Sequence, residues 1–322
     1  MLATLLGLYL TSVIVPITGK PVPLTVHPIE KFEYFGTRTR FGKLEFRGGL
    51  VISSTERNFG GLSGIDMLPG GREAVIVSDL GYLMRAKLEY QAGLLTGIAI
   101  PHMTPALPGI SLKRKDVEDV AIGNNGEIFV TLERNKKQIA VRKFRDNALG
   151  RPRLQALPGA GSKLGFNKGL ESIALIPAGS VHAGRMLAIA ERPKNRSGKA
   201  IPCWIIGVGT CSIEKRDGFE ITSARFLPNR DLLILERRLA PGLDLAARLR
   251  RIPAHRFGGN EMMNGEVIME ADLSMQIDNM EGLAVHQDDN GSTIITLVSD
   301  DNLNFFQRTL ILQFALLDDL PD

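Results

Sequence analysis

Apolar runs of strand length alternate with polar turns from about residue 60 to the C-terminal region. In each unit a first apolar run, a polar turn and a second apolar run follow one another, which is the pattern of a β-hairpin. The first runs are GLSGIDML (61–68), DVEDVAIG (116–123), GLESIALI (169–176), EITSARFL (220–227) and MEGLAVHQ (280–287). The pattern predicts an all-β protein built from repeated hairpins.

The first runs recur at a nearly constant distance. Aligned on Ser63, Glu118, Glu171, Ser223 and Glu281, neighbouring copies lie between 52 and 58 residues apart. Since four strands in about 50 residues make one propeller blade, we predict a β-propeller of about six four-stranded blades, with five as the alternative. We expect residues 32–53 and a C-terminal strand at 309–315 to share the sixth blade and close the ring.

One segment departs from the strand pattern. Residues 242–251 (GLDLAARLRR) carry apolar residues at helical spacing, which predicts a short helix inserted in one blade.

The N-terminal run Met1 to Pro16 (MLATLLGLYLTSVIVP) is apolar, and it is too short for a comfortable membrane span. Its position favours a signal-peptide core, although no basic residue precedes it and no small-residue cleavage motif follows. An apolar first strand is the alternative. We therefore predict a signal or apolar segment at residues 1–20, a single propeller domain at 25–322, and a periplasmic or secreted protein.

Cys203 and Cys211, the two cysteines of the chain, lie close enough in sequence to face each other on a hairpin. A disulfide there would fit an oxidising compartment, and two buried thiols are the alternative.

The net charge of +4 is small for 322 residues, and the basic residues are spread along the chain. This distribution argues against nucleic-acid binding and is compatible with an anionic small-molecule partner. We expect a monomer without a stable membrane span. The sequence also lacks a GxSxG elbow, an HExxH motif, a Walker loop and a dinucleotide fingerprint.

Carboxylates occupy two repeated positions. Glu118, Glu171 and Glu281 lie at the start of first runs, which line the channel of a propeller. A second set ends the second runs, namely Asp79, Glu133, Glu191, Glu236 and Asp300. Like charges this close raise one another's pKa unless a cation or basic side chains compensate them.

Two kinds of compensation are available. Oxygen ligands favour Ca²⁺, for which we predict Glu118, Glu171, Glu281, Asp79 and Asp300 as ligands. Alternatively, the arginines of the repeated Glu-Arg pairs compensate the carboxylates and hold an anionic substrate. The predicted substrate-binding residues are Arg134, Arg192, Arg237 and Lys168. Structural salt bridges between blades are the other interpretation of these pairs.

The stretches GGLSGID, DVEDVAI, NKGLESIAL, LILERR and NMEGLAV with LVSDDN resemble the phytase-like family of bacterial exported proteins, described by "esterase-like activity of phytase". The resemblance extends over roughly residues 45 to 315. It implies a propeller, export, and hydrolysis of a phosphoester or carboxylic ester.

We therefore predict an exported hydrolase that uses Glu118, Glu171 and Glu281 as catalytic residues at an axial site, with Ca²⁺ as cofactor. The alternatives are a calcium-dependent lactonase and a non-catalytic propeller that binds a ligand or partner.

Overall fold

The computed structural model describes residues 20–109, 117–132, 138–142, 144–145, 148–149, 152–156, 169–193, 197–240, 244–257, 259 and 261–317. Almost all regular structure in these residues is β-strand, and a single 3-10 turn spans Ala254–Arg256. The strands are β1 (Lys20–Val22), β2 (Leu24–Ile29), β3 (Arg40–Phe41), β4 (Leu44–Ser54), β5 (Leu62–Met67), β6 (Glu73–Ser78), β7 (Tyr82–Gln91), β8 (Leu94–Pro105), β9 (Val117–Ile122), β10 (Ile128–Leu132), β11 (Gln138–Arg142), β12 (Phe144–Arg145), β13 (Ala148–Leu149), β14 (Arg153–Ala156), β15 (Leu170–Leu175), β16 (Met186–Ala190), β17 (Ala200–Ile205), β18 (Gly209–Glu214), β19 (Glu220–Phe226), β20 (Leu232–Ala240), β21 (Asp244–Ile252), β22 (Glu266–Asp272), β23 (Asn279–Gln287), β24 (Thr293–Asp300) and β25 (Thr309–Leu316).

The strands form antiparallel sheets arranged around an axis. Within the described residues, five sheets have four to six strands, in the orders β1-β8-β7-β6-β5, β14-β11-β10-β9, β15-β16-β17-β18, β19-β20-β21-β22 and β2-β4-β25-β24-β23; β3 adds to β4, and β12 pairs with β13. The strands β5, β9, β15, β19 and β23 each contact the next, and β23 contacts β5. This ring is a β-propeller, as predicted. The expected number of about six sheets is wrong, and the alternative of five fits the described residues.

The fifth sheet contains strands from both ends of the chain. The C-terminal strand β25 lies between β24 and the N-terminal strand β4, and Thr309 pairs with Ile52. The sharing predicted from the sequence is therefore present. It completes the sheet that already holds β23 and β24, so it adds no sixth sheet.

The inner strands are buried on both faces, so both faces carry apolar side chains, and these fill the space between neighbouring sheets. The N-terminal segment is held by aromatic packing: the Phe32 ring lies 4.9 Å from that of Phe41 and 5.0 Å from that of Phe314, both edge-on.

The helix predicted over residues 242–251 is wrong, because Asp244–Ile252 forms strand β21. Arg248 and Arg250 are fully buried, and both donate hydrogen bonds to Glu236 on the neighbouring strand β20. A buried guanidinium needs a buried carboxylate, and only the strand pairing supplies one. The tertiary partner therefore overrides the helical spacing.

Cys203 on β17 and Cys211 on β18 pair in register and form a disulfide, with their Cα atoms 4.8 Å apart. This confirms the bridged alternative over two free thiols. The bridge links the two outermost strands of the third sheet.

Candidate functional site

A β-bulge marks the start of the first strand in every sheet. In each case the pairing with the second strand shifts by one residue, so that one first-strand residue is extra. These residues are Ser63, Glu118, Glu171, Thr222 and Glu281. The structural equivalence predicted for four of them is confirmed, but Thr222 replaces Ser223 in the fourth sheet. We call this end of the propeller, where first strands begin and second strands end, the site end.

The second ring of charges lies one residue beyond the pair that precedes the bulge in each first hairpin. Leu170 pairs with Ala190, so Glu191 follows; Ile221 pairs with Glu236, so Arg237 follows. Among the described residues the equivalent ones are Asp79, Glu191, Arg237 and Asp300. Glu236, expected in this ring, instead lies buried inside the fourth sheet with Arg248 and Arg250. An arginine therefore stands among the carboxylates at one of the four equivalent positions that the structure describes.

Arg237 joins the carboxylates of two sheets. Its Nη1 donates to Asn279 Oδ1 and Glu281 Oε1, and its Nη2 lies 3.6 Å from Glu191 Oε1. Burial opposes the charge of Arg237, but Glu281, Glu191 and Glu171 raise its pKa above the ordinary value. The guanidinium therefore stays charged and compensates several carboxylates at once.

Glu191 has the side chain best suited to proton transfer near neutrality. Burial and the neighbouring carboxylate of Glu220 raise its pKa to about 7, although Arg192 and Arg237 oppose the shift. Arg192 Nη2 lies 2.8 Å from Glu191 Oε2, and about a quarter of the Arg192 side chain is exposed. Glu191 is therefore partly ionised at neutral pH and close to two cations.

Asp300 lies in the same ring on the fifth sheet. Burial and the neighbouring carboxylate of Asp79 raise its pKa to about 8, although the backbone N–H of Asn302 donates to Asp300 Oδ1 over 2.6 Å. Glu281 adds to the repulsion at both Asp300 and Glu191. Asp300 is therefore mostly protonated at pH 7.

The first and fifth sheets meet closely beside these carboxylates. Gly61 has φ +61°, and a Cβ there would lie 2.0 Å from Asp79 Oδ1. Its N–H donates to Asp301 Oδ1 over 2.9 Å, and Thr309 Oγ1 donates to Asp301 Oδ2 over 2.7 Å. The carboxylate of Asp301 thus fixes the junction between the sheets.

The channel behind the site is filled by an ion pair that the sequence analysis missed. Three residues beyond the bulges the first strands carry Asp66, Ala121, Ala174, Arg225 and Ala284. Arg225 makes two hydrogen bonds of 2.9 Å to Asp119, and its guanidinium also donates to the carbonyls of Ile65, Val120 and Ile173. The signal available in the sequence is an arginine and an aspartate among three alanines at this repeated position.

The predicted site residues separate into four groups. Glu171, Glu281, Arg192 and Arg237 belong to one cluster with Glu191, while Asp79 and Asp300 are electrostatic neighbours. Glu118 occupies the equivalent bulge of the second sheet. Arg134, Lys168 and Glu133 lie outside the described residues.

The predicted calcium ligands do not form one coordination group. Among the residues that the structure describes, no three His, Cys, Asp or Glu side chains lie close enough together to hold a metal ion. Glu281 is engaged by Arg237 and Asn279 instead. Ca²⁺ binding stays a prediction.

Comparison with known proteins identifies the family to which the sequence is similar. The model of the phytase-like family, described as "Esterase-like activity of phytase", matches residues 57–303. No curated protein matches the chain in sequence. No helix within the described ranges is long and apolar enough to cross a membrane.

Several solved structures match the chain at low sequence identity. A glucose dehydrogenase is 10% identical, with a TM-score of 0.45 over 84% of this chain and 98% of its own. The Dos1 propeller is 11% identical, with a TM-score of 0.38 over 88% and 70%. The major allergen Mala s 1 of Malassezia sympodialis is 13% identical, with a TM-score of 0.43 over 88% and 92%.

Proposed function

Because this chain belongs to the phytase-like family, described by esterase-like activity of phytase, we propose that it hydrolyses an ester bond at the site end. The substrate is an anionic phosphoester or carboxylic ester. The observation that carries the proposal is the environment of Glu191, a carboxyl with a pKa of about 7 held between Arg192 and Arg237. A general base works best when its pKa is close to the working pH.

In this proposal the Glu191 carboxylate takes a proton from water while the water oxygen bonds to the carbonyl carbon or phosphorus atom. The bond from that atom to the leaving alcohol oxygen breaks. Asp300, protonated at pH 7, gives its proton to the leaving oxygen, so that the alcohol departs neutral. Two carboxyls of the same ring would thus act as base and acid because their surroundings separate their pKa values.

The two arginines supply the positive charge that an anionic substrate requires. Arg192 has the more exposed guanidinium side chain, with 26% of its area accessible against 17% for Arg237. We propose that Arg192 contacts the substrate and that Arg237 keeps the carboxylates in place. The predicted contributions of Arg134 and Lys168 stay part of the proposal.

The catalytic residues predicted from the sequence take supporting roles here. Glu281 accepts a hydrogen bond from Arg237, and Glu171 is buried within the field of the same guanidinium. We propose that both hold Arg237 in position. Glu118 stays a catalytic candidate because it has the equivalent bulge position in the second sheet. No step is assigned to Ca²⁺, since the described carboxylates do not assemble a three-ligand group.

We also propose export to the periplasm or outside the cell. The Cys203–Cys211 disulfide supports this location, because such bonds persist in oxidising compartments. Expression of the tagged full-length chain, followed by fractionation of the cells, tests this location. Recovery of the chain in the cytosol with free thiols would refute it.

The test of the activity is hydrolysis of p-nitrophenyl phosphate and short p-nitrophenyl acyl esters by the wild type and by Glu191→Gln. We expect the substitution to lower kcat by about 100-fold or more, the usual contribution of general acid–base catalysis. The matched control is Glu270→Gln, a change of the same size on the exposed face of β22. Absence of turnover in the wild type, or equal turnover in both variants, would overturn the proposal.

A further inference from the structure

Large apolar side chains project from the site end of the fifth sheet. Phe35, Phe305 and Phe306 are 102%, 95% and 88% exposed, and Tyr34 and Leu303 are about half exposed. We call these five residues the aromatic rim. Exposed apolar side chains grouped in this way mark interaction surfaces on folded proteins.

The two loops that carry the aromatic rim lie beside each other. Leu303, Phe305 and Phe306 belong to the connection from β24 to β25, which leaves the sheet at Asp300. The Tyr34 N–H donates to Ser274 O over 3.3 Å, just before β23, and the Arg308 guanidinium lies 5.9 Å from the Tyr34 ring. Both loops therefore stand at the same end of the propeller as Glu191 and Asp300.

The structure holds the longer loop in its exposed position. Asn302 and Leu303 both have positive φ, +47° and +51°. Their N–H groups donate to the carboxylates of Asp300 and Asp301, and the Phe306 N–H donates to Asn304 Oδ1. Non-glycine residues in the left-handed region persist only where their surroundings hold them there. The phenylalanines are thus presented to solvent by a fixed loop.

The form of the aromatic rim indicates what it contacts. A small ligand is bound in a concavity that buries most of its surface, whereas these side chains project outward almost completely exposed. Aromatic rings that project in this way are suited to insertion into the apolar region of a lipid layer. The neighbouring Arg308 and Arg38 are already engaged, by Gln276 and the Ile277 carbonyl and by Glu33 respectively. The contact is therefore expected to depend on apolar insertion and little on charge.

The first described residue of the chain also lies at the site end. Lys20, the first described residue, pairs with Met103 near the end of β8, and Pro105 pairs with Tyr82 at the site end of the first sheet. The first sheet adjoins the fifth through Gly61 and Asp301. The sequence before Lys20 contains the apolar run Met1 to Pro16.

We propose that the site end docks on the surface of a neutral lipid bilayer by inserting the aromatic rim. Burial of amphipathic and apolar side chains at the headgroup level is a general mode of peripheral membrane attachment. This docking would turn the candidate site toward the bilayer, and it does not depend on whether the site is catalytic.

The experiment measures sedimentation of the full chain with phosphatidylcholine vesicles. We expect Phe305→Ser/Phe306→Ser to weaken binding by about tenfold for each ring removed, equally at low and high salt. The matched control is Val181→Ser/Val208→Ser, which changes two exposed residues in turns at the opposite end of the third sheet. Equal binding by the wild type and both variants would overturn the proposal.

A second measurement reports on the loop directly, even where another segment also binds lipid. In Phe305→Trp, brominated phosphatidylcholine should quench the new indole fluorescence, whereas Trp204, buried in the wild type, should stay unquenched. Absence of extra quenching would contradict insertion. Self-association of the wild type without lipid, lost in the double phenylalanine variant, would instead assign the aromatic rim to a second copy of the chain and refute the bilayer proposal.

Discussion

Arg225 on β19 and Asp119 on β9 form a two-pronged ion pair across the propeller axis, with both hydrogen bonds at 2.9 Å. The carboxylate also accepts hydrogen bonds from Ser172 Oγ, Ser223 Oγ and the Ile173 N–H, so that three sheets meet at one side chain. Alanine at three of the four other equivalent positions leaves room for the guanidinium, and the fourth, Asp66, lies 3.6 Å from Arg225 Nε.

Removal of one partner of this pair should destabilise the fold. Arg225→Met leaves a buried carboxylate uncompensated, and we expect it to lower the free energy of unfolding by about 3–5 kcal/mol. Arg72→Met serves as control, since its pair with Asp289 is exposed and worth at most about 1 kcal/mol. Guanidinium-induced unfolding measures both. Similar losses in the two variants would contradict a structural role for the axial pair.

Asp300 should make stability depend on pH. Its pKa is raised from 3.8 to about 8 in the folded protein, so the folded state keeps a proton that the unfolded state has lost. Stability is therefore greatest below pH 4 as far as this group contributes, and it declines as pH rises toward 8. We expect Asp300→Asn to stabilise the protein by up to about 6 kcal/mol at pH 9, the free-energy equivalent of the raised pKa, and to have little effect at pH 4. Thermal unfolding at both pH values tests this; a gain that does not depend on pH would refute it.

We expect the fold to require glycine at position 61 for two reasons: its positive φ, and the lack of room for a Cβ atom. A Cβ there would collide with Asp79 Oδ1, whereas a Cβ at Gly70, which also has positive φ, meets nothing within 4 Å. We expect Gly70→Ala to cost about 1 kcal/mol from the backbone alone and Gly61→Ala to cost several kcal/mol. Urea unfolding distinguishes the two, and equal losses would show that the junction yields to the methyl group.

The proposed hydrolysis should have a narrow pH optimum between about 7 and 8. Activity rises as Glu191 loses its proton and falls as Asp300 loses its own. Because the Glu220 carboxylate raises the pKa of Glu191, Glu220→Gln should move the acidic limb of kcat/KM to lower pH, and Glu270→Gln should not. An acidic limb that stays in place in Glu220→Gln would exclude Glu191 as the base.

Calcium should act on the repulsion between Asp79 and Asp300, if the predicted ion binds. Added Ca²⁺ would then raise the melting temperature of the EDTA-treated wild type by a few degrees, as ligand linkage requires, and Asp79→Asn would abolish the rise. Asp289→Asn, at an exposed turn, is the control. If the melting temperature of the wild type does not change on addition of Ca²⁺, the cofactor prediction is wrong.

The repeated strands could be predicted from the sequence because each hairpin is local. The errors came from single-residue offsets. In the fourth copy no glutamate marks the bulge, so the sequence pattern points to Ser223 in place of Thr222 and to Glu236 in place of Arg237. In a strand an offset of one residue exchanges the two faces of the sheet, so these offsets hid the arginine of the ring.

The remaining features depend on long-range contacts. Arg225 and Asp119 lie 106 residues apart, and nothing local in either strand indicates their pairing. The burial of Arg248 and Arg250 also depends on Glu236 in another strand, which explains the false helix. Sequence periodicity describes one hairpin at a time, whereas the site is made by five of them.

The position of β25 between β24 and β4 sets an order of events during biosynthesis. The ribosome makes β4 early and β25 near the end, so a nascent chain cannot finish the fifth sheet before most of its residues have emerged. Until then β4 and β24 both present unpaired backbone groups, which invite pairing with other chains. We therefore expect a polypeptide that becomes compact late, needs protection while it is being made, and is poorly tolerant of C-terminal truncation.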